Sequence, residues 1–345
     1  MKRHLNTVYI ISHGAYLSKD GEAVVISIKK EKKLQVPIHQ LEGIVFLGGA
    51  GASPQAMQHC AEHGVCISFL STHGRFKARV SGATSGNVLL RRAQYRVADT
   101  QEKCLSIARQ VILGKVLNSR TVLMRGARDS SSDTARRIAP TVERLAQIVR
   151  HLMSSSLCHD LDQLRGMEGD AARDYFAALD ALVLREDDAF AMKSRSRRPP
   201  LDRMNALLSF LYALLEHDAR SACEASGLDP AVGFLHRDRP GRWGLALDLM
   251  EELRPVLCDR VALTLINRKQ VQPDGFDITD SGAVRMTEKT RRVVVATYQS
   301  RKQSELTHPV LGEKTTLGLV PHIQSRLLSR HLRGETDTYP PYVWR

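Results

Sequence analysis

Three acids stand in an otherwise apolar stretch, Leu245-Ala246-Leu247-Asp248-Leu249-Met250-Glu251-Glu252-Leu253. On a helix, offsets of three and four put Asp248, Glu251 and Glu252 on one narrow stripe, while Ala246, Leu247, Leu249, Met250 and Leu253 cover most of the remaining surface. Such a helix belongs in an interior. Carboxylates crowded there repel one another or take up protons unless cations or a metal neutralise them. Just upstream, Gly233-Phe234-Leu235-His236-Arg237-Asp238-Arg239-Pro240-Gly241-Arg242-Trp243 is a loop of turn residues and arginines, from which His236 can fold back over the acids. A further acid, Glu168, lies in Gly166-Met167-Glu168-Gly169-Asp170, where flanking glycines permit close backbone approach. Carboxylates with one imidazole suit Mg2+ or Mn2+ better than zinc, which prefers cysteine and histidine. Such a cation polarises a phosphodiester and holds an attacking hydroxyl in line, with the nearby arginines on phosphates.

Taken singly, the same residues have ordinary structural readings. A histidine ahead of a helix is commonly a surface or capping group, and Glu168 fits a first-turn glutamate favoured by the helix dipole. Asp248 is satisfied if it pairs with Arg242 or Arg254. Glu252 can lean to the edge of the stripe as a structural residue. Tyr212, on an apolar helix, either stacks on a terminal base or packs in the interior.

The elements that must position these groups fall into two parts. From Thr7 to about Gly82 the period is that of strands: Thr7 to Ser12, Ala15 to Leu17, Ala23 to Ile28, Leu34 to Pro37, Gly43 to Leu47, Val65 to Leu70 and Phe76 to Val80. One helix interrupts them, with Ser53 as N-cap, Pro54 in the first turn and Gly64 as the stop. After Gly86 helical periodicity takes over, with segments at Val88 to Arg96, Gln101 to Leu117, Thr134 to Ser154, near Asp170 to Leu184, Asp202 to His217, Gly244 to Leu253, Pro255 to Asn267, Thr287 to Arg301 and Thr316 to Leu332. The expected fold class is α+β, a β-rich, sandwich-like domain over residues 1–84 followed by a larger α-helical domain over 85–333. Residues 334–345 read as a loosely held tail.

With 345 residues the chain can bury a sizeable core, and its net charge of +13 points to an acidic polymer, nucleic acid ahead of an anionic membrane surface. Arg91, Arg92 and Arg96 lie at helical spacing, Arg195, Arg197 and Arg198 precede a helix, and Arg237, Arg239 and Arg242 surround the proposed metal. Phosphate binding by such clusters needs little sequence selectivity, although charge runs are also ordinary solvated faces. Six cysteines without a C-x-x-C pair read as buried thiols rather than a disulfide framework or zinc ribbon. The weakly polar run Gly43 to Ala52 is too short to span a bilayer, and a cytoplasmic protein is expected.

Over nearly its whole length the chain resembles the CRISPR-associated protein one family, metal-dependent DNA endonucleases and integrases that acquire new spacers. The resemblance runs through Gly14-Ala15-Tyr16-Leu17, Val36 to Val45, Ser53-Pro54, His73-Gly74-Arg75-Phe76, Ser85 to Tyr95, and Arg197-Arg198-Pro199-Pro200 with Asn205 and Tyr212. Its most specific parts are Met167-Glu168-Gly169, Gly233-Phe234-Leu235-His236 and Leu247 to Pro255. It implies that the β domain drives homodimerisation and that the helical domain holds one Mg2+ or Mn2+ on Glu168, His236 and Glu251, with Asp248 as an adjacent catalytic acid. Many relatives carry aspartate where this chain has Glu251, whose longer arm still reaches a cation. The implied reaction is attack by a 3′-hydroxyl of captured double-stranded DNA on a phosphodiester at a CRISPR repeat, with DNA held by Arg91, Arg92, Arg197, Arg198, Arg237, Arg239, Arg242 and Tyr212. The implied assembly is a dimer of dimers bridged by the small dimeric CRISPR-associated protein two. Two other classes stay open: a non-catalytic DNA-binding scaffold whose acids pair with arginines, and a metal phosphohydrolase of small substrates, which the basic balance disfavours.

Overall fold

Short runs of Val, Ile and Phe between turn residues form the strands β1 (Thr7–Ile10), β2 (Ala15–Asp20), β3 (Ala23–Ile28), β4 (Glu31–Pro37), β5 (Gly43–Leu47), β6 (Ala50–Ala52), β7 (Cys66–Leu70) and β8 (Phe76–Val80). The computed structural model describes residues 7–83, 87–154, 160–185 and 188–344. One four-stranded sheet runs β1-β5-β7-β8 and the other β4-β3-β2-β6. In the first, β1 and β7 flank β5 in parallel, and every residue of β5 is buried, as a central parallel strand requires. Ile10, Leu17, Val24, Ile26, Ile44, Phe46 and Ile67 build one core with Ala56 and Cys60 of helix α1 (Pro54–Glu62). The Ser53 Oγ accepts the Ala56 N–H at 3.1 Å, and Gly64 follows the helix at φ +70°, as its start and stop signals predict.

The helices are α2 (Val88–Ala98), α3 (Gln101–Arg128), α4 (Ser132–Met153), α5 (Leu161–Leu179), α6 (Arg203–Ala225), α7 (Gly244–Glu251), α8 (Arg260–Asn267), α9 (Glu288–Lys302) and α10 (Val320–Leu332). The chain divides into two compact units, Met1–Ser85 with Met286–Ala296, and Gly86–Arg285 with Thr297–Arg345. The expected boundary between residues 84 and 85 lies outside the described residues, as does Cys158. The division also falls within α9, a helix expected to belong wholly to the helical domain. In the second unit α3 packs against α2, α4, α5 and α7. Cys60, Cys66, Cys104, Cys223 and Cys258 are free thiols. Among the described residues no helix is long and apolar enough to cross a membrane.

Two expectations about this unit need correction. The helix carrying Glu168 starts at Leu161, well before Asp170, because the Asp160 carboxylate accepts the N–H groups of Asp162 and Gln163 at 2.8 and 2.7 Å. Residues 334–344 are not a loose tail: Tyr339 and Tyr342 are 1% exposed. Asn118 of α3 donates to the Tyr342 carbonyl at 2.9 Å and accepts the Trp344 N–H at 2.8 Å. Gly114 explains the fit, since a Cβ there would lie 2.9 Å from Pro341 Cβ. The guanidiniums of Arg125 and Arg260 cover the Trp344 ring at 3.7 and 4.5 Å.

Candidate metal-binding active site

Helix α7 is buried nearly all round, and the loop before it is drawn onto it by two glycines. A Cβ on Gly233 would sit 2.6 Å from the Gly244 carbonyl carbon, and one on Gly244 would sit 2.7 Å from the Ala231 oxygen. Only glycine allows backbones to cross this closely. The crossing aims successive N–H groups at Asp248: Oδ2 accepts those of Phe234 and Leu235 at 2.6 and 3.0 Å, and Oδ1 accepts that of His236 at 3.1 Å. Oδ1 also lies 2.6 Å from His236 Nδ1. These four donors, rather than Arg242 or Arg254, satisfy a fully buried carboxylate. Because Oδ1 accepts here, Nδ1 is the donor, and the ring presents its Nε2 outward, 3.9 Å from Glu251 Oε1.

Glu251 lies one turn along from Asp248. Its Oε1 pairs with Arg254 at 2.8 Å and its Oε2 with Lys115 Nζ of α3 at 2.7 Å. Burial pushes this carboxyl up, but Arg254, Lys115 and His236 outweigh it and hold the group well below the usual carboxylate range. Glu168, in the second turn of α5, also bonds Lys115. It is therefore not a first-turn glutamate. Nor do its glycines serve close approach, since nothing lies within 4 Å of a Cβ built on Gly166 or Gly169.

Glu252 turns about 100° away from Glu251, one residue further round the helix. It is wholly buried rather than at an edge: Tyr339 Oη donates to it at 2.7 Å, Gln324 Nε2 at 2.9 Å and the Tyr342 N–H at 2.7 Å. Burial, opposed by these hydrogen bonds, lifts its pKa to about 8. The three acids thus divide: Asp248 holds the loop, Glu251 faces the cleft and Glu252 anchors the C-terminal segment. After them Pro255, which has no N–H for the helical ladder, opens a π-helical turn over Arg254–Asp259.

A cleft of about 310 Å³ is lined by Glu168, His236, Glu251, Leu235 and six arginines: Arg165, Arg197, Arg237, Arg239, Arg242 and Arg254. Its donor set suits a hard divalent cation: two carboxylates and an imidazole nitrogen whose direction is set by Asp248. Glu251 Oε2 is close to Lys115 but poorly aligned with it, leaving a buried acceptor without a hydrogen bond among the described residues. The three side chains are not drawn to ligand spacing, because the Lys115 ammonium sits between the two glutamates. Among the described residues the trio with ligand atoms within 4.8 Å of one another is Glu22, His59 and His63, in the β unit.

Arg91, half-buried, and Arg92, exposed, lie on α2, and neither they nor exposed Arg198 line the cleft. Tyr212 does not offer a free stacking face. Its hydroxyl donates to Asp259 Oδ1 at 2.7 Å, and the guanidiniums of Arg195 and Arg254 lie 5.3 and 4.8 Å from its ring centroid. Arg165 lines the cleft and Lys115 bridges its two glutamates, and sequence reasoning placed neither there. The signal for Lys115 was a lone cation inside Val111-Ile112-Leu113-Gly114-Lys115-Val116-Leu117; that for Arg165 was its position one turn before Glu168.

Residues 8–300 match the family model described as CRISPR associated protein Cas1. A CRISPR-associated endonuclease Cas1 of Rhodospirillum rubrum is 51% identical over 349 residues, covering all of both chains. Among solved structures, a casposase bound to integration product superposes with a TM-score of 0.84 at 22% identity, over 99% of this chain and 95% of that one. A Cas6-RT-Cas1–Cas2 complex gives 0.83 at 21% identity, over 100% of this chain and 36% of that one. At these identities the structures speak for the fold, whereas the family match and the Rhodospirillum relative speak for descent: the chain belongs to the Cas1 family of CRISPR-associated proteins.

Proposed function

We propose that this chain is the DNA endonuclease and integrase of CRISPR adaptation, inserting captured duplex DNA at repeats by phosphodiester transesterification in the Glu168–His236–Glu251 cleft. The observation that carries the reading is the convergence in one cleft of two carboxylates, an imidazole oriented by Asp248, and six arginines. Glu168, His236 and Glu251 would hold Mg2+ or Mn2+, which supplies charge stabilisation at the reacting phosphodiester and eases deprotonation of the attacking hydroxyl.

The chain's own residues do the rest. Arg239 and Arg242 lie on the loop beside His236 and Arg197 reaches the same cleft, so phosphate groups are drawn there without base selectivity. Arg165 donates to the Leu235 carbonyl at 2.9 Å and pairs with Asp162 at 2.7 Å, which also holds Arg237 at 2.7 Å, so the loop bearing His236 is braced from α5. Arg254 and Lys115 keep Glu251 ionised, so no proton must leave it before a cation or phosphate approaches. Transesterification exchanges one phosphodiester for another, and catalysis rests on positioning and charge rather than on a covalent intermediate. Captured double-stranded DNA and repeat DNA are the substrates, in the cytoplasm. The working assembly is a homodimer joined to Cas2.

The test is a strand-transfer assay in Mn2+ or Mg2+ with wild type, Glu168→Ala and His236→Ala, with DNA affinity measured in parallel. Transfer is expected to disappear in both variants while DNA binding persists. Transfer retained in both would reject the site, and a wild-type protein that binds DNA without transferring it would leave only a scaffold.

A further inference from the structure

Three side chains of the β unit converge on one another. Glu22 follows Gly21 in the turn between β2 and β3, and its carbonyl accepts the Ile38 N–H at 2.9 Å, which fixes the backbone there. His59 and His63 are four residues apart at the end of α1, and hence on one face. One ligand atom from each of the three lies within 4.8 Å of the others.

Two further observations point to a ligand. His59 is 2% exposed, and its Nε2 is buried with no hydrogen-bond partner among the described residues, the kind of group that proteins ordinarily satisfy. His63 Nδ1 lies 2.9 Å from the His59 carbonyl oxygen. A carbonyl only accepts, so Nδ1 carries the proton and the His63 Nε2 keeps a free lone pair, 4.0 Å from Glu22 Oε2. Locking one ring nitrogen on a carbonyl so that the other can ligate is the usual outer-shell arrangement of metal-binding histidines. The two rings stand 4.6 Å apart at 61°.

We propose that Glu22, His59 and His63 form a second metal site, for a borderline transition ion such as Zn2+ rather than for Mg2+. Two imidazoles and one carboxylate, with a fourth position for water, are a zinc donor set, whereas the cleft of the helical unit offers mainly oxygen. The ion joins the β2–β3 turn to the end of α1, two segments of the same core.

The experiment uses the full chain with Zn2+ as probe, by titration calorimetry, and Co2+ by visible absorption. One Zn2+ per chain is expected to persist in Glu168→Gln and His236→Gln. Its affinity falls about tenfold or more in His63→Gln and in Glu22→Gln, the loss expected even for an outer-shell partner. The intense d–d bands of four-coordinate Co2+ disappear in the same two variants. Both positions are exposed, so folding is kept; His59 is core and is left out of the comparison. Equal Zn2+ affinity in wild type and His63→Gln, or loss of the ion only in Glu168→Gln or His236→Gln, overturns the site.

Discussion

Asp248 holds His236 twice through one oxygen: Oδ1 accepts the backbone N–H at 3.1 Å and the ring Nδ1–H at 2.6 Å. The acid between the leucines is therefore an orienting group behind the imidazole, not a ligand facing the cleft. Asp248→Asn puts an amide N–H₂ against donors and lets the ring turn. Strand transfer and Mn2+ affinity are expected to fall about 10- to 100-fold, as for other outer-shell partners. Asp248→Ala also strips acceptors from backbone N–H groups, costing about 1–3 kcal/mol for each donor left unsatisfied, to be read from urea unfolding of the helical unit.

Lys115 places an ammonium between Glu168 and Glu251. Lys115→Met leaves two carboxylates facing one another, and breaking a buried pair of this kind costs about 3–5 kcal/mol. A divalent cation relieves the same repulsion. The rise in melting temperature on replacing EDTA with Mn2+ is expected to be larger in Lys115→Met than in wild type; an equal rise would show that the lysine and the ion do not share the site.

Glu252 predicts a pH dependence of opposite sign to that of an ion-paired carboxylate. Its folded pKa is about 8 against an ordinary 4.5, so the folded state holds the proton between these values. Its contribution is complete below about pH 4.5 and is lost as pH rises through 8. Glu252→Gln, neutral at every pH, is expected to lose less stability than wild type between pH 6 and pH 9. Denaturation midpoints at the two pH values measure the difference.

The glycines of the two motifs have opposite roles. Gly233→Ala forces a Cβ to 2.6 Å from Gly244 and 2.8 Å from Asp248 Oδ2, so it displaces the loop and abolishes transfer. Gly169→Ala meets nothing within 4 Å. In a helix interior it is expected to stabilise by about 0.5–1 kcal/mol, with transfer intact. Thermal melts and transfer assays on the pair check both.

Seven of the eight strands of the β unit, all but β6, and α1 were legible because their signals are local: alternation, Ser53-Pro54 at the start and Gly64 at the stop. Glu168, His236, Asp248 and Glu251 stood out as polar residues in apolar or glycine-rich surroundings and in the motifs shared with the family, and the structure brings them together around His236 and Lys115. What each acid does was not, because three residues on one stripe met three different neighbours: backbone N–H groups, a lysine from α3, and tyrosines from beyond residue 333. The buried C-terminal segment was missed for the same reason. Its polar, proline-bearing sequence carries no periodicity, and Gly114, which admits it, lies more than two hundred residues away.

The central claim is that Glu168, His236 and Glu251 bind one catalytic cation. Its most direct measurement is a Mn2+ titration of the full chain followed by the electron paramagnetic resonance of the free aquo ion. Wild type, Glu168→Gln, Glu251→Gln and the β-unit control His63→Gln are compared. The expected result is a bound Mn2+ in wild type and His63→Gln that is lost in both glutamate variants. Unchanged Mn2+ affinity in Glu168→Gln and Glu251→Gln would contradict it.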